Sequence, residues 1–142
     1  MSSIELVKKL SNAFGPSGFE DDVRTIIRDE LKNLATFSYD KAGSIICKRK
    51  GGEGPKFMFA AHMDEIGFLV QHITSDGFIK FYNLGGWWEH TLLSQKVILR
   101  GKKGDVVGVI GAKPKHHLSA AEKDKVMPMS NMFIDVGAKN KN

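Results

Sequence analysis

The chain has little cysteine, no long apolar run and none of the glycine signatures that cradle nucleotides. Each shortage removes a class of explanation. A single cysteine, Cys47, excludes an internal disulfide framework and fits a reducing cytoplasm. It alternates with Ile46 and Lys48 in an expected strand, where a small apolar filler is favoured over a nucleophile. No apolar run reaches membrane-spanning length, and the opening Met-Ser-Ser-Ile-Glu-Leu-Val-Lys-Lys-Leu is amphipathic, unlike a basic-then-apolar leader. There is no P-loop, dinucleotide fingerprint, paired Cys-x-x-Cys or nucleophile-elbow serine. Internal repeats and low-complexity segments are also lacking.

What is there is enough for one ordinary domain or two small ones: 142 residues, 42% of them hydrophobic. The net charge of +5 permits contact with nucleic acid without requiring it. The basic residues are scattered over Lys48-Arg49-Lys50, Arg100 to Lys103, Lys113 to Lys115 and the Lys139-Asn140-Lys141-Asn142 tail. Most fall where turns are expected, and base-stacking aromatics are not interleaved with them. Neither a nucleic-acid partner nor a membrane partner is therefore expected.

Periodicity divides the chain. In Ile4 to Phe14, Leu6, Val7, Leu10 and Phe14 share a helical face. Gly15-Pro16-Ser17-Gly18 breaks it, and Ser17 with Glu20 reads as a capping box opening a second helix. That helix turns Val23, Ile26, Ile27, Leu31 and Leu34 inward. After Ala35 the period becomes two, and Thr36 to Tyr39, Ser44 to Lys50 and Lys56 to Ala61 read as strands. The third is continuously apolar, the pattern of a central strand buried on both faces. Beyond Glu65 the pattern is nearly all β: Ile66 to Thr74, Phe78 to Leu84, Gln95 to Arg100, Val106 to Ala112 and Met132 to Val136. Short strands with glycine-rich corners point to a small barrel or sandwich. The switch near residues 65 to 70 is a candidate domain boundary.

The residues with chemical promise lie at that switch. His62-Met63-Asp64-Glu65 follows the apolar Phe57 to Ala61 run, at the strand end where α/β sheets bind ligands. An imidazole is a common divalent-metal ligand, and a nearby carboxylate can hold its other ring nitrogen. A histidine after a strand is also commonly structural, and with the His-x-Asp spacing the two readings stand level. Glu65 reads as a ligand, a base or a paired strand-end charge. His72, His90, His116 and His117 read first as strand or loop polarity.

Several stretches together resemble the N-terminal portion of one family, the tetrahedral, dodecameric co-catalytic metal aminopeptidases. These are called glutamyl or deblocking aminopeptidases, and some members carry an endoglucanase label. Gly15 to Glu20 is similar to the family's first helix boundary. Asp40-Lys41-Ala42-Gly43-Ser44 is similar to its Asp-x-x-Gly-Asn turn, with Ser44 for the usual asparagine. Ala61 to Phe68 is similar to its first metal motif. Leu84 to Trp87, Val109 to Pro114 with His117-Leu118, and Phe133 to Ala138 follow in family order.

The resemblance implies an α/β fold: residues 1–67 would be the N-terminal part of a zinc-peptidase domain, and 68–142 an inserted, β-barrel-like dimerisation domain. It implies two divalent metal ions, zinc or cobalt, in the full-length family, with His62 ligating one of them and Asp64 the catalytic carboxylate that supports it. A metal-activated water would then attack the peptide carbonyl beside a free N-terminus, helped by a glutamate base. The family's bridging aspartate, Glu-Glu pair, further acidic ligand and last histidine all lie beyond Gly137-Ala138. This chain is thus expected to hold at most a partial site and to be inactive or nearly so alone. Glu65 does not occupy the base's position. In such assemblies the loop carrying His117 approaches a neighbouring active site, which makes His117 a candidate inter-subunit contact. Trp87 and Trp88 read equally as subunit contact and as core of the β domain.

The resemblance thus implies a metal-dependent, cytoplasmic aminopeptidase acting on peptides and assembling as a homo-oligomer. A second expectation, of another class, is a non-catalytic assembly or regulatory module that associates with itself or with full-length subunits. Self-association without turnover separates the two. A glucanase is a minor third, because no paired carboxylates mark a sugar cleft.

Overall fold

The computed structural model describes residues 2–141. The chain divides after Gly67 into two compact units. Among the described residues, no helix is long and apolar enough to cross a membrane.

In the first unit, helix α1 (Ser3–Ser11) starts at a capping box. The Glu5 N–H donates to Ser2 Oγ at 3.3 Å and the Ser2 N–H to Glu5 Oε2 at 2.7 Å, satisfying two amides that the first turn leaves open. Asn12 ends the helix, its side-chain amide donating to the Lys8 carbonyl. Helix α2 (Asp21–Leu31) buries Val23 and packs against α1. Its expected Ser17–Glu20 box does not form. Glu20 is itself the cap residue, and its carboxylate turns back to accept the Gly18 N–H at 2.7 Å. A tight turn closed by Phe19 N–H to Pro16 O at 2.8 Å occupies the place of the box. Leu34, expected inward, is exposed beyond the end of α2.

Strands β1 (Thr36–Tyr39) and β2 (Ile45–Lys48) pair antiparallel, from Thr36 opposite Lys48 to Tyr39 opposite Ile45. Asp40 builds the turn between them, its Oδ1 accepting the N–H groups of Ala42 and Ser44 at 2.9 Å each. Gly43 takes a φ of +91°, which a side chain would resist. Cys47, expected as a filler, is exposed, because this hairpin is a two-stranded sheet whose faces stay largely open.

The larger departure is Lys56 to Ala61. It forms no strand, and Phe57, Met58 and Phe59 are 81%, 89% and 96% exposed. The apolar run has the composition of a doubly covered strand, but among the described residues no strand pairs with it. A strand's burial comes from its neighbours, and its sequence cannot supply them.

The second unit is a five-stranded sheet. Its strands are β3 (Gly67–Ile73), β4 (Ile79–Leu84), β5 (Lys96–Gly101), β6 (Gly104–Gly111) and β7 (Phe133–Asp135), in the order β3-β4-β7-β6-β5. The sheet is open, with β3 and β5 as edges, and curls only part of the way to the barrel that the short strands led us to expect. Between β6 and β7 lie a single turn at Lys115–His117 and the short helix α3 (Ala120–Lys123), which carries a second capping box, Ser119 with Glu122.

Ile79 and Phe81 alternate inward along β4 and meet Leu92, Ile110, Met132 and Ile134 in the core. Between them Lys80 points elsewhere, its ammonium donating to the carbonyls of Ser130 and Met132 at 2.7 Å each. Trp87 stacks on Phe68, centroids 4.6 Å apart, against this core, whereas Trp88 is 68% exposed beside His90. Trp87 thus follows the core reading in part, packing against the core half-buried, while Trp88 lies at the surface. At Gly108 no side chain fits, since a Cβ there would run into Ile134.

Candidate functional site

The segment His62 to Glu65 belongs to the first unit, just before β3. His62 is exposed, and its Nδ1 lies 3.0 Å from the Asp64 carbonyl oxygen and 3.1 Å from Asp64 Oδ1. Both neighbours of Nδ1 are acceptors, so in the neutral ring Nδ1 carries the proton. The lone pair then resides on Nε2, the nitrogen available to a metal. The backbone reason is short range: with only Met63 between the ring and the carboxylate, one segment holds its own imidazole. Asp64 is half-buried and His62 is not, so the ligand side of the pair faces outward.

Glu65 is held differently. Its N–H donates to the Gly15 carbonyl at 2.8 Å, and its Oε1 accepts the Gly15 N–H at 3.1 Å. Pro16 and Glu65 form a parallel bridge. These bonds go to neutral backbone groups of Gly15, so they are not the charge pairing at a strand end that the sequence suggested. Sequence reasoning had no signal for the partner, which lies 50 residues upstream.

The remaining histidines do not join a cluster. His72 is exposed on β3, and His90 packs on Trp88. His116 and His117 sit ring against ring, 4.4 Å between centroids, in the exposed turn Lys115–His117 of the second unit. Among the described residues no group of three or more His, Cys, Asp or Glu side chains is placed to hold a metal ion. The donor set thus fits one metal ligand with its supporting carboxylate.

Carboxylates held below their usual range lie elsewhere. Asp40 is lowered chiefly by the Ser44 N–H, Glu5 by the Ser2 N–H and Glu122 by the Ser119 hydroxyl. All three are turn or cap groups whose charged form accepts hydrogen bonds. A shallow cavity lined by Lys80, Lys113, Leu118 and Glu122 also lies apart from the His62 segment in the sequence.

Comparison with known proteins gives this geometry a setting. A sequence profile described as M42 glutamyl aminopeptidase matches residues 43–142. The lysyl aminopeptidase of Pyrococcus furiosus is 37% identical over 140 residues, covering 96% of this chain and 40% of that protein. The TET aminopeptidase from the marine sediment archaeon Thaumarchaeota archaeon SCGC AB-539-E09 superposes with a TM-score of 0.92 at 43% identity, covering 98% of this chain and 39% of that one. The TET1 peptidase of Pyrococcus horikoshii, described as able to assemble into a tetrahedron or a large octahedral shell, gives 0.85 at 38% identity, covering 99% and 42%. The chain therefore spans about two fifths of the length of the relatives it matches. It shares their α/β architecture over that span, as the motifs predicted. With the profile covering well over half of its residues and the solved relatives superposing along nearly all of it, the chain belongs to the M42 glutamyl aminopeptidase family.

Proposed function

We propose that this chain carries the opening part of a metal-dependent aminopeptidase centre, with residues 1–67 contributing to the peptidase domain and 68–142 forming the inserted dimerisation domain. One observation carries the reading: Asp64 holds Nδ1 of His62 and so leaves Nε2 as the donor. His62 would hold one of two divalent ions, zinc or cobalt, and Asp64 would fix the ring's tautomer and orientation. When bound, such metals supply Lewis-acid activation of water and of the peptide carbonyl. The described residues assemble neither the other ligands nor a general base, and a catalytic metal needs several protein ligands with one position open. The substrate is a peptide with a free N-terminus, and the setting is the cytoplasm.

The 142 residues alone are expected to be inactive or nearly so. Purified chain supplied with zinc or cobalt and assayed on aminoacyl-nitroanilides should show no turnover above the metal blank. Turnover near that of a full-length family member would overturn this reading.

A second reading, the non-catalytic assembly module, is favoured by apolar side chains on the open sheet. Ile98 and Val107 are each 62% exposed on the neighbouring strands β5 and β6, more than a solvated sheet face needs. The shells formed by TET1 of Pyrococcus horikoshii supply the precedent. His117 would then meet a neighbouring subunit's site. Light scattering separates the readings: a strict monomer that also ignores full-length subunits rules the module out.

A further inference from the structure

The segment that carries His62 and Asp64 is supported from one side only. Upstream, Lys56 to Ala61 is exposed, and among the described residues no ladder of backbone bonds holds the segment there. Downstream, the first fixed point is Glu65, which reaches Gly15 twice, through its N–H at 2.8 Å and through Oε1 at 3.1 Å. Gly15 is itself seated with no room to spare. A Cβ there would meet Val23 Cγ2 of α2 at 2.8 Å and the Met63 carbonyl oxygen at 3.6 Å. Gly67, on the far side of Glu65, lies so close to Pro16 that a Cβ would be 3.0 Å from the proline Cβ. The Gly15-Pro16 turn is thus bonded to the chain at Glu65, and it leaves no room for a side chain at Gly15 beside the buried Val23 of α2 or at Gly67 beside Pro16.

We propose that Glu65 is a positioning residue, which by clasping Gly15 through both its N–H and its carboxylate oxygen sets the His62–Asp64 pair for metal and does not itself ligate or move a proton. The proposal rests on the reading of His62 as a metal ligand. The rival roles differ in what they need from the side chain. Accepting the Gly15 N–H needs an oxygen, which glutamine also has, whereas ligation or proton transfer needs the carboxylate charge.

The test uses the whole 142-residue chain, metal-free, as wild type, Glu65→Gln and Glu65→Ala. NMR would read Gly15 amide exchange and the His62 ring nitrogens, followed by a zinc titration observed at the same ring. Glu65→Ala should speed Gly15 exchange about tenfold, the size expected for losing one acceptor, and shift His62 toward the tautomer mixture of free imidazole. It should also weaken zinc binding at His62 about tenfold, the low end for a lost supporting contact. Glu65→Gln should stay within about threefold of wild type in every readout. The Ile110 amide, bonded to the Gln95 carbonyl at 2.9 Å, reports on the second unit and should not change in either variant. A glutamine variant as damaged as the alanine one overturns the proposal, because charge would then be the requirement. An alanine variant with unchanged Gly15 exchange and His62 tautomer overturns it as well. Failure of zinc to bind His62 in the wild type would instead remove the metal reading, and with it the proposal's metal half. The clasp would then stand or fall on exchange and tautomer alone.

Discussion

In the neutral His62 ring the proton belongs on Nδ1, because the Asp64 carbonyl and carboxylate, at 3.0 and 3.1 Å, can only accept. His62→Ala should therefore abolish the response of this segment to added cobalt or zinc. Asp64→Asn should weaken binding by about 10- to 100-fold, since the ring keeps its ligating nitrogen but loses its charged support. Titration followed by NMR checks both, and equal losses would show Asp64 acting as a ligand. The second unit offers stability predictions of the same grain. Met132 is 1% exposed in the core, so Met132→Ala should cost about 2–5 kcal/mol in a urea titration. Gly108→Ala adds only a methyl, but it is driven into Ile134, with Leu99 3.0 Å and Val136 3.2 Å away. A loss of about 1–3 kcal/mol is expected from overpacking.

At the level of elements, the β1–β2 turn should respond to acid. The Ser44 N–H and its companions hold the Asp40 carboxyl below its ordinary value of 3.8, so the charged form is favoured in the folded turn. That contribution is complete above the ordinary value and is lost as pH falls through the lower, folded one. Exchange of the Ala42 and Ser44 amides should accelerate in that acid range, and Asp40→Asn should flatten the dependence. The turn was legible from Asp40-Lys41-Ala42-Gly43-Ser44, because its chemistry is local: one carboxylate, two amides and one glycine with positive φ. The Ser17–Glu20 box was not, because the same spacing serves the Pro16–Phe19 turn, and only the paths of the neighbouring chain decide which forms. The Lys56–Ala61 run failed in another way. Its composition states what the segment tolerates around it, and that surrounding is supplied by other elements. In the site, the His62–Asp64 contact was legible at two residues' separation, and Glu65's attachment to Gly15 was not.

For the whole molecule, the uncovered Phe57-Met58-Phe59 run is expected to limit solubility. Side chains 81–96% exposed contribute little to internal packing, so Phe57→Ser with Phe59→Lys should leave the unfolding midpoint nearly unchanged while raising solubility. Parallel urea titrations and light-scattering concentration series would check this. A large drop in midpoint would show that the run is covered in solution. Interrupting such a window with a charge is also the usual remedy for β-aggregation.

The strand order of the second unit has a consequence in time. β7 contains only Phe133–Asp135, yet it lies between β4 and β6, with Ile134 opposite both Ile79 and Ile110. The β3–β4 and β5–β6 pairs join neighbouring segments and can close early, whereas the step that unites them must bring Ile134 back across more than fifty residues to Ile79. Until that strand docks, the two hairpins have no shared core. As the chain emerges from a ribosome, Ile79, Phe81 and Ile110 are expected to stay open to solvent until three late residues arrive to join them.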